Sequence, residues 1–492
     1  MSEVLDASPV TASVVIGGEA MDGADGVYDV HNPARPAEVV GRAPVASNEQ
    51  LDAAVAAARR TAPGWAAVSL SERAAAIAAA GQAAATALAD LDLATSYTRE
   101  HGKVRTEAQF ELDTAPIIGQ LLGGMAETAL TPSFITPGAA YPRVQREPYG
   151  VAALILPFNW PVAVAMTKLG PALAAGNTTV VKVPPSCPLT VLRVLAEFAA
   201  ALPRGVVNVL SGPSPELGRR LVAHPGIDLV SFTGGTSTGR AVMAAAAENL
   251  TPVLLELGGN DAAVIAPDLP ITETLADLLA AAAYTTTGQV CMAAKRIYAP
   301  RGRVAELVDA LRARCDREVI GDGLAPEVTL GPLHTPAGYH RVADMIDDAG
   351  SRGATVVTAG RWREEDRDGG GYFILPTIVT DVAPDAPVVA EEQFGPVLPV
   401  LAYDDIDQAV EAANATPFGL TASVWTADDA LADRVATALV AGTVGINCHG
   451  MAAQDPRLPF GGFRTSGIGR ELGPDGIQAF TQTRSFVRHD PP

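Results

Sequence analysis

Cysteine and histidine are scarce and scattered in this chain, which limits the metal and redox chemistry that it can support. The four cysteines, Cys187, Cys291, Cys315 and Cys448, lie far apart in 492 residues and form neither a disulfide framework nor a CxxC pair. The seven histidines are equally dispersed. Because a structural metal site needs clustered ligands, the sequence predicts no bound metal.

Long apolar runs and an excess of basic residues are also missing. No stretch reaches the roughly 18 apolar residues that cross a bilayer, and the first ten residues, MSEVLDASPV, lack the basic region and apolar run of a secretory signal. The 35 basic and 55 acidic residues give a net charge of −20, which disfavours binding to nucleic acid or anionic lipid. We therefore expect a cytoplasmic protein without a nucleic-acid or membrane partner.

Apolar sequence, by contrast, is abundant. Apolar residues make up 48% of the chain and charged residues only 18%, as in a packed globular enzyme, and the length indicates two or three domains. Short strands are predicted within residues 11–45, with turns at Gly17-Gly18 and Asn32-Pro33. Alanine-rich helices are predicted at residues 48–62, 71–101 and 105–128.

From residue 151 onward, strands and helices alternate, which predicts an α/β fold with parallel-rich sheets. The first alternating region has predicted strands at 151–156, 178–183, 206–210 and 227–232, and helices at 161–175, 188–200, 215–223 and 237–248. The second has strands at 261–266 and 296–300, and helices at 271–286 and 303–316. Residues 361–374, rich in glycine and charge, are predicted to be an exposed loop without a catalytic role.

The segment TTGQVCM, residues 286–292, contains a candidate nucleophile. Cys291 lies between a predicted helix and a predicted strand, close to a glycine that lets other atoms approach the backbone. A buried cysteine that only packs is the common alternative.

The segment LELGGN, residues 255–260, places one carboxylate in an apolar strand that ends at two glycines. Burial raises the pKa of a carboxyl group toward the range in which it accepts a proton from water at neutral pH. Glu256 is therefore a candidate general base, and a buried salt bridge is the alternative.

The segment LPFNWP, residues 156–161, ends a hydrophobic strand and starts a helix at Pro161. Asn159 lies at the exit of the strand, where its amide could stabilise an oxyanion formed by attack of Cys291 on a carbonyl. An asparagine between two prolines is otherwise typical of a turn.

Together, LPFNWP, LELGGN and GQVC resemble the aldehyde dehydrogenase superfamily in order and spacing. Further matching segments are SFTGGTSTGR (231–240), EEQFGPV (391–397), NATPFGL (414–420) and PFGGFRTSGIGRELG (459–473). The resemblance implies a Rossmann-like cofactor domain, residues 1–130 and 147–257, and a catalytic domain, residues 258–472. It also implies that a small β hairpin at 131–146 and a terminal segment at 473–492 bridge the subunits of a homodimer or homotetramer.

The resemblance implies NAD or NADP as cofactor. The loop FTGGTSTG ends a strand and opens a helix, whose free N–H groups suit a pyrophosphate, although a glycine-rich turn alone is weak evidence. By resemblance, the cofactor-binding residues are Phe158, Lys182, Thr233, Gly234, Gly235, Leu257, Glu392 and Phe394. Gly235 stands where the family commonly has serine.

A departure from the family occurs next to Lys182, in the segment KVPPS. Pro185 occupies the position of the glutamate that usually holds the ribose 2′-hydroxyl of NAD. Its absence removes the charge that would repel a 2′-phosphate, so the choice between NAD and NADP stays open.

For the substrate, a small aldehyde, the resemblance implies that residues 447–459 line the entrance. His449, Met451 and Arg457 are the informative residues there, and Trp160, Thr167 and Phe460 are expected to form the wall. Arg457 could meet an anionic aldehyde, but an arginine at the surface is the more usual interpretation.

The resemblance also implies the mechanism. The thiolate of Cys291 adds to the aldehyde, Asn159 and the Cys291 backbone N–H hold the oxyanion, and hydride transfer to the nicotinamide leaves a thioester that water activated by Glu256 hydrolyses. A CoA-acylating semialdehyde dehydrogenase is the alternative, and Glu256 argues against it. A cysteine hydrolase would need a histidine partner that no motif positions, and a non-catalytic binding protein would not need all three catalytic types.

Overall fold

The computed structural model describes residues 12–135 and 140–489. The predictions that fall on residues 1–11, 136–139 and 490–492, including the absence of a signal in the first ten residues, lie outside the described residues. No helix in the described ranges is both long enough and apolar enough to cross a membrane.

The N-terminal region consists of four strands, two of which belong to a large sheet, followed by four helices. They are β1 (Val14–Ile16), β2 (Glu19–Met21), β3 (Val27–Asn32), β4 (Arg35–Pro44), α1 (Asn48–Ala67), α2 (Leu70–Ala87), α3 (Leu93–His101) and α4 (Arg105–Ala129). The predicted single helix over 71–101 is wrong, because two helices occupy that range. Asp92 interrupts it: its side chain accepts a hydrogen bond from the Thr95 N–H at 3.1 Å and so starts α3 as a separate helix.

The predicted alternation after residue 151 is confirmed, with boundaries that differ by one or two residues. The elements are β5 (Ser133–Phe134), β6 (Arg143–Pro148), β7 (Val151–Ile155), α5 (Pro161–Ala174), β8 (Thr178–Lys182), α6 (Leu189–Ala200), β9 (Val207–Leu210), α7 (Pro215–Val222), β10 (Leu229–Thr233), α8 (Thr236–Ala246) and β11 (Val253–Glu256). Strands β9, β8, β7, β10 and β11 are parallel neighbours in that order. Their residues are almost all buried, since helices cover both faces.

A second parallel-rich sheet follows, in the order β15-β17-β18-β13-β12-β19-β20. The remaining elements are β12 (Asp261–Ile265), α9 (Glu273–Tyr284), β13 (Ala294–Pro300), α10 (Val304–Cys315), β14 (Val319–Ile320), α11 (Pro336–Ser351), β15 (Thr355–Thr358), β16 (Arg361–Trp362), β17 (Thr377–Thr380), α12 (Pro387–Ala390), β18 (Val397–Tyr403), α13 (Ile406–Asn414), β19 (Thr421–Trp425), α14 (Asp429–Ala438), β20 (Thr443–Ile446), β21 (Gly467–Ile468), α15 (Gly473–Gln478) and β22 (Thr481–Phe486).

The two sheets confirm the predicted α/β class with parallel-rich sheets. The chain leaves the first sheet after Glu256 and returns to it at β21, which pairs with β11 in antiparallel orientation. Each sheet is packed against its own helices by its own buried hydrophobic clusters. The domain boundaries themselves stay predictions.

A small third sheet has the order β22-β6-β5. It contains the predicted hairpin, since Ser133 and Phe134 pair with Val144 and Arg143. The terminal strand β22 pairs with β6 of the same chain over six residues, so its contact with a neighbouring subunit stays a prediction.

The predicted exposed loop at 361–374 is partly wrong. Residues 361–362 form β16, which pairs with β14. Asp366 is buried and accepts a hydrogen bond from the Asp322 N–H at 2.9 Å, and Phe373 lies in a hydrophobic cluster. The rest of the segment is exposed or half-buried as predicted, and the polar composition concealed these two anchors.

Candidate active site

The carboxyl ends of four neighbouring strands bring the predicted residues to one edge of the first sheet. Ile155, at the end of β7, pairs with Lys182 on one side and Phe232 on the other, and Thr233 pairs with Glu256. Because parallel strands end at the same edge, the loops that follow them share one crevice.

This crevice opens into a cavity of about 620 Å³. Thirteen of the fifteen predicted site residues line it: Cys291, Glu256, Asn159, Phe158, Thr233, Gly234, Gly235, Leu257, Glu392, Phe394, Trp160, Thr167 and Phe460. Lys182 and Arg457 are not among its lining residues. The catalytic, cofactor and substrate candidates thus share one space, and their roles stay predictions.

The segment before Cys291 is held in an unusual backbone conformation. Helix α9 ends at Tyr284, two residues earlier than predicted, because Thr286 and Thr287 have φ angles of 52° and 56°. The left-handed region is costly for a β-branched residue and persists only where the surroundings impose it. The half-buried Glu107 does so in part, since its carboxylate accepts a hydrogen bond from the Thr286 N–H at 2.8 Å.

Cys291 presents a half-buried thiol to the cavity. Burial raises the pKa of this thiol to about 12, and the nearby Lys295 ammonium opposes the rise. The Lys295 ammonium also donates hydrogen bonds to the carbonyl oxygens of Val290, at 3.0 Å, and Cys291, which fix the backbone at the nucleophile. The free thiol is therefore protonated at neutral pH, and the site must activate it.

Asn159 reaches across to the segment that carries Cys291. Its side-chain amide donates a hydrogen bond to the Gln289 carbonyl at 3.0 Å, two residues before the nucleophile. Its backbone carbonyl accepts a hydrogen bond from the Lys103 ammonium at 2.8 Å. Asn159 is thus held through both its side chain and its backbone, as a pre-positioned oxyanion donor requires.

Beneath Asn159 lies a buried ion pair that the sequence interpretation missed. The Lys103 ammonium contacts the Glu111 carboxylate at 2.5 Å, and both side chains are fully buried. The same carboxylate accepts hydrogen bonds from the Tyr97 hydroxyl, at 2.7 Å, and from the first free N–H groups of helix α5, those of Val162 and Ala163. This network caps the helix that follows Asn159.

Glu256 is buried, and its Oε2 atom has no hydrogen-bond partner among the described residues. Burial, with the neighbouring carboxylate of Glu471, raises the pKa of Glu256 well above its ordinary value, and the Lys168 ammonium opposes the rise. Lys168 is itself buried and paired with Glu471, and it also contacts the Ser231 hydroxyl at 2.8 Å. A lysine inside the apolar helix α5 was the signal that could have identified this pair.

The loop between β10 and α8 fits a bound diphosphate. Helix α8 starts after Gly235 without a side-chain cap, so its first N–H groups are free for an anion. A Cβ atom added to Gly235 would meet no other atom within 4 Å, which leaves room for a ligand. The buried hydroxyls of Thr233 and Thr236 have no hydrogen-bond partner among the described residues. These unpaired donors and this open space suit the phosphates of a dinucleotide.

Glu392 and Phe394 lie on the opposite wall, in the second α/β region. The Gly259 N–H donates a hydrogen bond to the Glu392 carboxylate at 3.0 Å. The Phe394 backbone has a φ angle of 54°. Its ring packs edge-on against the Phe158 ring, with 5.9 Å between the ring centroids. Arg341, which the sequence interpretation missed, also lines the cavity and donates to the Glu392 and Gln393 carbonyls.

Lys182 and Pro185 lie at the edge of the site. Burial lowers the pKa of the Lys182 ammonium to about 8, and no carboxylate lies within ion-pair distance of it among the described residues. Pro185 is exposed, one residue before the half-buried Ser186. The charge and hydrogen-bonding pattern at this position therefore differs from that of a site built around a glutamate.

Two residues expected at the substrate entrance lie elsewhere. Arg457 is exposed and forms an ion pair with Asp455 at 2.5 Å. His449 is buried, accepts or donates a hydrogen bond with the Ser423 hydroxyl at 2.7 Å, and has a pKa lowered to about 3 by that burial. From the predicted entrance segment, Met451, Gln454 and Pro456 do line the cavity.

Comparison with known proteins agrees with this geometry. The family model described as the aldehyde dehydrogenase family matches residues 21–486. Geranial dehydrogenase from Castellaniella defragrans is 37% identical over 455 residues, 91% of this chain and 92% of that protein.

Solved structures give the same result. An NADP-dependent enzyme from E. coli is 33% identical, with a TM-score of 0.90 over 98% of this chain and 99% of that one. A Staphylococcus aureus betaine aldehyde dehydrogenase in complex with NAD+ is 30% identical, with a TM-score of 0.91 over 98% and 96%. From the family match and the site described above, we conclude that this chain belongs to the aldehyde dehydrogenase family and is an NAD(P)-dependent enzyme that oxidises an aldehyde.

Proposed function

We propose that the protein converts an aldehyde to the carboxylic acid by a hydrolytic route in which Cys291 is the nucleophile, Asn159 the oxyanion donor and Glu256 the general base. The observation that carries the proposal is that these three side chains, from distant segments, line the same cavity as the diphosphate loop. A thiol, an amide and a buried carboxylate in one space are the groups that covalent acyl chemistry requires.

In the first step, the Cys291 thiol loses its proton to a base and its sulfur adds to the aldehyde carbon, so a C–S bond forms. The carbonyl π electrons move to oxygen, and the Asn159 amide and the Cys291 N–H stabilise that oxyanion. The Gln289 carbonyl and Lys103 hold Asn159 in place for this task. Such a donor contributes about 3–4 kcal/mol to transition-state stabilisation.

Bound NAD or NADP supplies the hydride acceptor. When the oxyanion re-forms the carbonyl, the hydride leaves the former aldehyde carbon, and Cys291 carries a thioester. Glu256 then removes a proton from water while the water oxygen adds to the thioester carbon. Collapse of that adduct breaks the C–S bond, releases the carboxylic acid and frees the Cys291 thiolate, which takes up the proton held by Glu256. The raised pKa of Glu256 makes it a stronger base than an exposed carboxylate.

CoA-acylating semialdehyde dehydrogenase is the alternative function. It would share Cys291 and the cofactor but transfer the acyl group to a thiol instead of to water. The buried, unpaired oxygen of Glu256 favours hydrolysis, because an acylating enzyme has no need of a water-activating base beside the thioester. Assays of product with and without CoA separate the two functions.

The experiment that tests the mechanism compares two variants under single-turnover and steady-state conditions. Cys291→Ala is expected to form no NAD(P)H. Glu256→Gln is expected to keep a first burst of about one NAD(P)H per site but to lose steady turnover by roughly 10²–10⁴-fold. Full steady turnover in either variant would overturn the assigned role.

We also infer that the protein accepts NADP. Pro185 in place of a glutamate, and the unpaired Lys182 nearby, support this inference, since no carboxylate repels a 2′-phosphate there. Pro185→Glu is expected to lower kcat/KM with NADP by about tenfold or more relative to NAD. An unchanged ratio would contradict the inference, and Pro185→Gln, which adds a side chain of the same length without the charge, is the matched control.

We further propose that the protein is a homodimer or homotetramer in the cytoplasm.

The names of the relatives, geranial dehydrogenase and betaine aldehyde dehydrogenase, refer to an apolar and a cationic substrate, so these names do not select one class of aldehyde for this chain.

A further inference from the structure

One part of the cavity lining, here called the substrate half, is almost entirely apolar. It is formed by helix α4, the start of α5 and the segments around residues 291 and 456. Its principal side chains are Phe110, Ile117, Ile118, Trp160, Val164 and Phe460. Apolar walls of this kind bind ligands through burial of hydrocarbon.

No charged side chain occurs among the described lining residues of the substrate half. The four charged lining residues are Glu256, Arg341, Glu392 and Glu471, and of these Glu471 is bridged through its backbone to Phe460 of the substrate half. Glu471 is paired with Lys168, and Glu392 accepts from the Gly259 N–H. A charged substrate would therefore lose hydration without gaining a counter-ion.

The two hydroxyl groups of the substrate half are already engaged. Thr114 donates to the Phe110 carbonyl at 2.7 Å, and Thr167 donates to the Ala163 carbonyl at 3.0 Å. The buried Trp160 Nε1 has no hydrogen-bond partner among the described residues. One neutral donor of this kind can donate a hydrogen bond to an uncharged oxygen, but it does not offset the desolvation of a carboxylate.

Aromatic rings raise a specific rival, since they can hold a quaternary ammonium by cation–π attraction. Trp160 is the largest ring of the substrate half, but the Lys103 ammonium already lies 4.3 Å from its centroid. The Lys103 ammonium would repel a second cation at the same ring and so weaken its cation–π attraction to Trp160. This contact disfavours a cationic aldehyde.

The apolar wall also continues to the protein surface. Phe110 and Ile117, one helical face of α4, are 51% and 62% exposed. Large apolar side chains left in water next to a cavity mark a binding surface. Phe110 and Ile117 therefore provide apolar surface along which a substrate chain can continue past the buried part of the cavity.

We propose that the enzyme acts on an uncharged, extended apolar aldehyde, which rests on the proposed function. The aldehyde group reaches Cys291, and its hydrocarbon chain runs along α4 toward the surface. Each further methylene that enters the wall is expected to raise kcat/KM by up to roughly fourfold.

The first test measures NAD(P)H formation with butanal, hexanal and octanal, and with betaine aldehyde and succinic semialdehyde as cationic and anionic probes. Octanal is expected to exceed butanal and both charged probes in kcat/KM by about tenfold or more. Equal or higher kcat/KM for either charged probe would overturn this inference and leave the proposed function intact.

The second test places a carboxylate on the wall. Ile117→Asp, at an exposed position, is expected to lower kcat/KM for octanal by roughly tenfold and to affect butanal less. Leu121→Asp, one turn along α4 and not a lining residue, is the matched control and is expected to change neither. Equal effects of the two variants on octanal would contradict the proposed path of the chain.

A binding measurement separates this inference from the mechanism. Cys291→Ala cannot form the covalent adduct, so tryptophan fluorescence titrated with the same aldehydes reports occupancy alone. If no aldehyde is oxidised, the proposed function fails. Saturable binding of octanal but not of the charged probes would then still support the apolar wall, and binding without preference would overturn it.

Discussion

Two buried carboxylates near the nucleophile differ in almost every contact that they make. Glu111 accepts hydrogen bonds from Tyr97, Lys103 and two backbone N–H groups at the start of α5. Glu256 leaves one oxygen without a partner among the described residues and faces a second carboxylate, that of Glu471.

This difference in contacts separates a carboxylate that supports its neighbours, Glu111, from one that can accept a proton, Glu256. A buried carboxylate whose lone pairs are all used holds its neighbours in place, as Glu111 does for the segment of Asn159. A buried carboxylate with a free oxygen and a raised pKa is destabilised in its charged form and is ready to take a proton. Burial alone therefore does not distinguish the two carboxylates, but their hydrogen-bond partners do.

The largest expected effect is on stability, from removal of the supporting carboxylate of Glu111. Glu111→Ala would leave the Lys103 ammonium buried without its partner and is expected to cost about 3–5 kcal/mol of unfolding free energy. Urea denaturation measures it. The double variant Lys103→Met/Glu111→Leu is expected to recover most of that stability while kcat stays low, because the Asn159 carbonyl loses its donor. Recovery of kcat along with stability would contradict the positioning role.

The second prediction concerns Cys291 and its pKa of about 12 in the absence of ligands. Because the thiolate is the reactive form and lies far below half-population, its rate of alkylation by iodoacetamide is expected to rise about tenfold per pH unit between pH 7 and 9. Cys291→Ser assigns the adduct by mass. A rate that levels off below pH 8 would show that the burial of the thiol is not what controls its reactivity.

The smallest expected effect tests the carboxylate pair in the reactive region. Glu471 raises the pKa of Glu256 and Lys168 lowers it, so Glu471→Gln removes the first influence and leaves the second. The acid limb of the kcat profile, which follows deprotonation of Glu256, is expected to move to lower pH. The exposed Glu411→Gln is the control, and a shift to higher pH would reverse the assignment of cause.

Local motifs predicted much of the site because each lies at the end of a strand. LPFNWP, LELGGN and FTGGTS follow β7, β11 and β10, and the carboxyl ends of parallel strands necessarily meet at one edge. Asn159, Glu256 and the residues of the diphosphate loop line the cavity for this reason. Lys182 ends β8 as predicted, but it lies outside that cavity.

The supporting residues were missed for the opposite reason. Glu107 and Glu111 lie on α4, where no motif marks which carboxylate faces inward, and the local signal for Lys168 was its place within the apolar helix α5. Their partners are Thr286, Lys103 and Glu471, and the last of these is 303 residues distant in sequence. Arg457 differs from them, because its partner Asp455 is only two residues away and the arginine is exposed, as the surface interpretation of this residue predicts.

The amino-acid order by itself determined the alternation of strands and helices, the residues proposed as nucleophile, base and oxyanion donor, and the lack of a carboxylate at Pro185, because these depend on local periodicity and short segments. The tertiary structure alone decided that Thr286 and Thr287 adopt a left-handed backbone, that Glu256 keeps a free oxygen, and that α4 provides an apolar wall. Those properties arise from contacts between segments far apart in the chain, which local sequence does not encode.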